Sequence, residues 1–309
     1  MTRFGVPFGR SRAAGGCPAR DGDDVGGTSG VTVGAVYALV ALGFTIIYNA
    51  SDVVNFAQGE FVMLGGMVTF VMHVAGVPLP LAALIAIIAT GLIGILMNRL
   101  TIEPARGAPV VSLIIITIGV SIFIRGVAQR VFGKEIHTYP AFSGDEPLHI
   151  LGATILPQSL WILAGAVAVF IGLWLFFTKT LTGAAVLATS NNRLASQLVG
   201  INTRFIMALS FALSASIGAL AGVLVTPITL TSYDVGLGLA LKGFAAAMLG
   251  GMGNPKGALV GGVLLGLLEA LTAGYVSSQY KDAAAFIVIL AVLFFLPQGL
   301  FGRKSTDRV

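Results

Sequence analysis

The stretch SDVVNFAQGEFVMLGGMV, Ser51 to Val68, decides how the chain is read. It places Asp52, Asn55, Gln58 and Glu60 between two apolar runs, Gly30 to Tyr48 and Phe61 to Val77. Polar side chains so close to hydrocarbon must face protein, water or a partner. Short polar side chains also accept the orphan N–H groups at a helix start, so Asp52 and Asn55 are candidate caps for a helix beginning near Phe56. Glu60 falls in its early turns, where the helix dipole favours an acid. Two readings follow: a well-capped helix entering a bilayer, or a polar constellation, Gly59 included, at a helix break lining an aqueous route.

Moving outward, the 309 residues are 56% hydrophobic and 10% charged, with a mean hydropathy of +0.94. Soluble domains carry roughly 25% charged residues, so the chain reads as a polytopic membrane protein whose surroundings are lipid. Its formal charge of +5 comes from 18 Lys and Arg scattered over short loops and both ends, which is no nucleic-acid stripe. A lone cysteine, Cys17, excludes an intrachain disulfide and a cysteine zinc cluster. His73, His137 and His149 stand at no metal-motif spacing. No nucleotide loop or Ser-His-Asp pattern is present, so neither an enzyme nor a cofactor or metal bound by this chain is expected.

Apolar runs recur as Gly30 to Tyr48, Phe61 to Val77, Leu79 to Met97, Pro109 to Ile124, Leu160 to Phe177, Phe205 to Val225, Val235 to Met252, Ala258 to Gly274 and Ala283 to Leu296. They approach or match the roughly 20 helical residues that cross about 30 Å of hydrocarbon. Unbroken runs with little alternation choose helices over a closed barrel. The expected fold is therefore all-α, a polytopic transmembrane helical bundle with about eight or nine spans. The pieces around Asn55 and Gly250 can be broken or re-entrant. Residues 1–27 read as a disordered tail, 28–300 as the membrane domain and 301–309 as a C-terminal tail.

The segment 178–204 carries Lys179, Arg193 and Arg204 with no acid, which places it in the cytoplasm. Arg99 and Arg106 join that side, as do Arg303, Lys304 and Arg308 at the end. Nine spans then start outside and finish inside. Arg125, Arg130 and Lys134 dissent, since the count leaves them on the outer side. The outer loop that follows has room for short strands such as His149 to Ile155.

Small residues let membrane helices approach closely. The chain has 41 glycines, and Gly65, Gly66, Gly250, Gly251, Gly253, Gly257, Gly261 and Gly262 are candidates for such packing. NFAQGEFVMLGG from Asn55 is loosely echoed by NPKGALVGG from Asn254. Lys242 and Glu269 lie inside apolar runs, and if both are charged they pair or face a cavity, which adds them to the candidate path residues.

GVTVGAVYALVALGFTIIYNASDVVNFAQGEFVMLGG, Gly30 to Gly66, resembles the first part of the branched-chain amino acid ABC transporter permeases. GLALKGFAAAMLGGMGNPKGALVGGVLLGLLE, Gly238 to Glu269, and LVGINTRFIMALSFALSASIGALAGVL are similar to later parts of the same family. The resemblance implies the inner-membrane subunit of a bacterial high-affinity importer. It implies four partner classes: a second related permease, two cytoplasmic ATP-binding subunits that use ATP and Mg, an external solute-binding protein, and lipid. Asp52 to Glu60 would then form a helix break beside the translocation path. The segment 178–204 would receive the ATPase through Arg193, Leu194, Leu198 and Gly200, on a short helix from about Leu187 to Leu198 ended by Gly200. Arginines usual in the family are replaced here by Ala184 and Leu187. Leucine, isoleucine and valine are the implied solutes, with urea, short amides or aromatic acids carried by similar proteins. The alternative from another class is an ion-coupled secondary transporter or channel.

Overall fold

The computed structural model describes residues 22–302 except 106, 145, 151, 152, 278 and 297. The tails expected over residues 1–21 and 303–309, with Arg303, Lys304 and Arg308, lie outside the described residues. Eleven α-helices follow one another in the described chain: α1 Gly22–Ser51, α2 Gln58–Val74, α3 Leu79–Met97, α4 Val110–Phe132, α5 Pro157–Lys179, α6 Leu181–Asn191, α7 Arg193–Leu198, α8 Thr203–Thr229, α9 Val235–Gly250, α10 Pro255–Tyr275 and α11 Lys281–Phe295. A π-helical turn, Asn98–Ile102, prolongs α3. Two short antiparallel strands, β1 Leu148–Ile150 and β2 Ala153–Ile155, sit in the loop before α5. Helix α1 begins at Gly22, inside the stretch expected to be a tail.

Side-chain caps set several starts. Asn202 accepts from the N–H groups of Arg204 and Phe205, and Asn254 from those of Lys256 and Gly257 with Pro255 at the first helical position. Among the described residues six helices are long and apolar enough to cross a membrane: Ser29–Ser51, Leu79–Ile102, Val110–Phe132, Pro157–Lys179, Thr203–Thr229 and Pro255–Tyr275. The expected count of eight or nine is not matched on this measure. Gln58–Val74 has 17 residues, Val235–Gly250 has 16 and Lys281–Phe295 has 15. At 1.5 Å per residue the shortest reaches only about 22 Å.

Helix α1 is the axis of the bundle. It packs on α10, α8, α9 and α5, while α2 lies against α3, α8 and α9. Its membrane-length window is 89% buried, against 17% for α4 and for α5, which are peripheral. The peripheral helices present large apolar side chains outward, among them Ile115, Ile122 and Phe123 on α4 and Ile171 and Trp174 on α5.

Close backbone contact holds the inner helices together. A Cβ on Gly59 would overlap the Gly236 carbonyl, one on Gly65 the Ala219 backbone, and one on Gly262 the Ala38 backbone. Gly250, Gly257 and Gly261 bring α9 and α10 together in the same way, while Gly66 faces the Thr226 hydroxyl. In lipid, where apolar surfaces gain nothing from leaving the solvent, such fitted contact supplies the attraction. Gly251 and Gly253, at φ +100° and +89°, make the α9–α10 turn.

Segment 178–204 departs from expectation in one respect. Instead of one helix over Leu187 to Leu198, the chain breaks at Asn192, whose side chain accepts from the Ala195 N–H and starts α7 anew. Gly200, at φ +87°, ends α7 as expected, with its N–H on the Gln197 carbonyl and that of Ile201 on Ser196.

Candidate functional site

The path candidates from the opening stretch separate on folding. Asp52 leaves α1 with its N–H on the Tyr48 carbonyl and a φ of +56°, so it ends α1 rather than capping α2. Asn55 alone serves the start of α2, its Oδ1 accepting from the Ala57 N–H. The chain does not run on as helix between Ser51 and Gln58. It folds back along α1, for Gln58 contacts Gly43, two turns before the end of that helix. Gln58 is fully buried against α8, where its Oε1 and the Ser214 hydroxyl stand 2.7 Å apart and its Nε2 donates to the Ser214 carbonyl.

Glu60, 1% exposed, turns to α4. Its Oε1 accepts from the Ser121 hydroxyl at 2.8 Å and from the Arg125 guanidinium at 2.7 Å. One turn earlier on α4, Thr117 Oγ1 accepts from the Phe56 N–H. Thr117, Ser121 and Arg125 thus form a polar stripe at i, i+4 and i+8 that meets the beginning of α2. Glu60 Oε2 and Arg125 Nε are buried without a protein partner. Oε2 points at Gly236 of α9, where a Cβ would stand 3.0 Å away. Buried polar atoms are almost always bonded, so these two leave one acceptor and one donor for water or a passing polar group.

Lys242 and Glu269 belong to a different cluster. Lys242 Nζ lies 2.8 Å from Glu269 Oε1 and 2.7 Å from Asp282 Oδ1 at the start of α11. Tyr37 of α1 donates to Glu269 Oε2 at 2.6 Å, and its ring lies 5.4 Å from the Lys242 ammonium. Glu269 and Lys242 together thus join four helices.

The 178–204 segment projects an apolar tip. Leu194, Leu198 and Val199 are 75%, 88% and 76% exposed, whereas Ser196 between them is buried. Arg193 stands beside them, and its charge reaches back to Asp52: partial burial pushes the Asp52 carboxyl above the ordinary carboxylate range, and the guanidinium works against that shift. Among the described residues, no group of three or more His, Cys, Asp or Glu is placed to hold a metal ion.

The family described as the branched-chain amino acid transport system permease component matches residues 28–294. This chain belongs to that permease family. It is 33% identical to the high-affinity branched-chain amino acid transport system permease protein BraD of Pseudomonas aeruginosa, over 91% of this chain and 96% of that protein. It is 31% identical to the permease protein LivH of Salmonella typhimurium over the same shares. Among solved structures, PsaBC from Streptococcus pneumoniae in complex with Fab covers 88% of this chain and 92% of its own at 15% identity and a TM-score of 0.48. As a permease of this family with six membrane-length helices, the chain is a multi-pass transport subunit of the inner membrane and not an enzyme.

These clusters also take in residues that the sequence does not single out. The fourth apolar run, Pro109 to Ile124, stops short of Arg125, yet α4 continues to Phe132 with that arginine inside it. Its ion pair removes Arg125 from the count of outer loop charges. The spacing of Thr117, Ser121 and Arg125 was the available signal. Tyr37, Ser214 and Asp282 had none, since each acquires its partner only through a distant helix.

Proposed function

We propose that this permease is the membrane subunit of an ATP-driven importer of leucine, isoleucine and valine. It works with a second related permease, two cytoplasmic ATP-binding subunits and an external solute-binding protein. The family match over residues 28–294, together with two relatives named for branched-chain amino acid transport and aligned over 96% of their length, carries this reading. In it, α1 to α5 and α8 to α11 make nine crossings, with α6 and α7 in the cytoplasm. The short α2 spans together with the folded-back segment before it. Leu194 and Leu198 enter a cleft of the ATPase, Arg193 lies at its rim, and Gly200 lets the chain turn back towards α8. This leaves the apolar tip of α7 covered, which supports the assignment, since large exposed apolar tips are otherwise a liability.

The solute route passes the seam between α2 and α4. Glu60 supports this placement because it keeps one carboxylate oxygen unbonded in a buried site. Asn55, Gln58 and Gly59 hold the break that presents it. Lys242 and Glu269 fasten α9, α10 and α11 on the other side of α9 and serve the route by keeping those helices in register. The test is reconstituted uptake by the purified four-subunit complex, with its solute-binding protein and a panel of labelled amino acids. Uptake of leucine, isoleucine and valine that requires internal ATP and resists an uncoupler is expected. Uptake abolished by the uncoupler with ATP present would give the role to an ion-coupled carrier instead.

A further inference from the structure

Asp52 and Lys256 carry opposite charges on the wall of one cavity of about 490 Å³. The end of α1, the second half of α5, α6 and the α9–α10 turn line it, and it is open on one side. Each charge stands at the helix end that suits it least. Asp52 adds a carboxylate at the carbonyl end of α1, and Lys256 adds an ammonium at the second residue of α10, whose first N–H groups are already capped by Asn254. Among the described residues neither forms a salt bridge, and the Arg193 charge acts on Asp52 from farther off. One pole of the cavity therefore carries a carboxylate and the other an ammonium. Discontinuous membrane helices hold polar solutes with such opposed ends. Between the poles the wall is apolar, with Leu173, Trp174 and Met252.

We propose that this cavity is a second amino-acid site, facing the cytoplasm, at which accumulated solute slows its own import. The ammonium of an α-amino acid sits at Asp52 and the end of α1, the carboxylate at Lys256, and a branched apolar side chain against Trp174 and Met252. The volume lies within the roughly 300–1,000 Å³ of small-molecule sites. Ser190 and Asn191 of α6 form one wall and α1 with α10 the other, so an occupant bridges the ATPase-facing element and the membrane body. An occupant that fits only when the walls are apposed favours that arrangement by its difference in affinity and holds back the motion that drives transport. The proposal rests on the reading of the chain as an amino-acid permease with α6 in the cytoplasm.

The test uses the complete complex in vesicles loaded with leucine. Each variant's ATP-driven uptake is referred to its own rate from leucine-free vesicles, and leucine binding to the solubilised complex is measured by calorimetry without the solute-binding protein. Internal leucine is expected to inhibit wild type, and Asp52→Asn or Lys256→Gln to raise the half-inhibiting concentration and the Kd about tenfold or more, as for loss of one charged contact. Internal 4-methylpentanoate and 3-methylbutylamine, which each lack one charge, should inhibit at least about tenfold less well. Inhibition that both variants retain at the wild-type concentration would overturn the site, as would its absence. Relief on removing phosphatidylethanolamine, with the variants still inhibited, would give the cavity to a lipid headgroup and overturn it equally. A complex that binds leucine here but imports a different solute would keep the site and overturn the function. One that imports leucine without binding it from inside overturns the site alone.

Discussion

Glu60 and Arg125 show what a buried charge pair demands of a helix in lipid. Removing one partner of such a pair costs about 3–5 kcal/mol, whereas replacing both by apolar groups of similar volume is often neutral. Arg125→Met should therefore lower the yield of folded permease and its Tm, while Glu60→Met/Arg125→Met should recover both. Transport separates support from service. Glu60→Gln, which keeps shape and hydrogen bonding, is expected to reduce reconstituted uptake several-fold at unchanged protein level, and the double variant to stay equally slow although well folded. Wild-type uptake by the double variant would reduce the pair to a fastening between α2 and α4. The candidacy of Glu60 was legible because an acid in an apolar run has few reasons to be there. Its partner was not, because the arginine lies 65 residues away and only the packing of α4 on α2 joins them.

Among the elements, α7 is the clearest case of local pattern deciding structure. Leu194 and Leu198 one turn apart and Gly200 behind them are sufficient to describe its exposed stripe and its end. The break at Asn192 escaped, because an asparagine is tolerated within a helix until its side chain takes a cap position that competes with the helical bond. If α7 docks the ATPase through this stripe, Leu194→Asp and Leu198→Asp each oblige a carboxylate to lose water on docking, at a cost of a few kcal/mol. The ATPase should then co-purify at a tenth or less of its wild-type ratio, about the effect of 1.4 kcal/mol, while membrane insertion is unchanged. Wild-type stoichiometry in both variants would remove α7 from the interface.

For the molecule as a whole, the number of crossings turns on the three short helices α2, α9 and α11. Lipid requires only that backbone groups be bonded within the protein, so a helix of 15 or 16 residues can serve where a break, a tilt or a neighbouring helix completes the path. Nine crossings place residue 192 inside and residue 279, between α10 and α11, outside. With Cys17 replaced by serine, a cysteine at Asn192 should be protected from an impermeant maleimide in intact cells and one at Gln279 should react. Protection of Gln279 would mean that α11 does not cross. The pairing of Arg125 inside α4 supports this count, since it removes one of the three charges that opposed it.

Sequence by itself determined the membrane class, most helix positions, the positive 178–204 loop and the family, because hydropathy, caps and glycine turns act within a few residues of one another. The resemblance rested on runs of consecutive residues, which no folding is needed to read. Only the tertiary structure decided that Asp52 parts from Glu60, that Lys242 and Glu269 join Tyr37 and Asp282 rather than Glu60, and that Arg125 lies inside a helix. Each of these depends on which helices touch, and in lipid that choice is made by the fit of small residues such as Gly59 against Gly236 and Gly262 against Ala38. Such fit is a property of two surfaces at once, and a single chain of letters displays only one at a time.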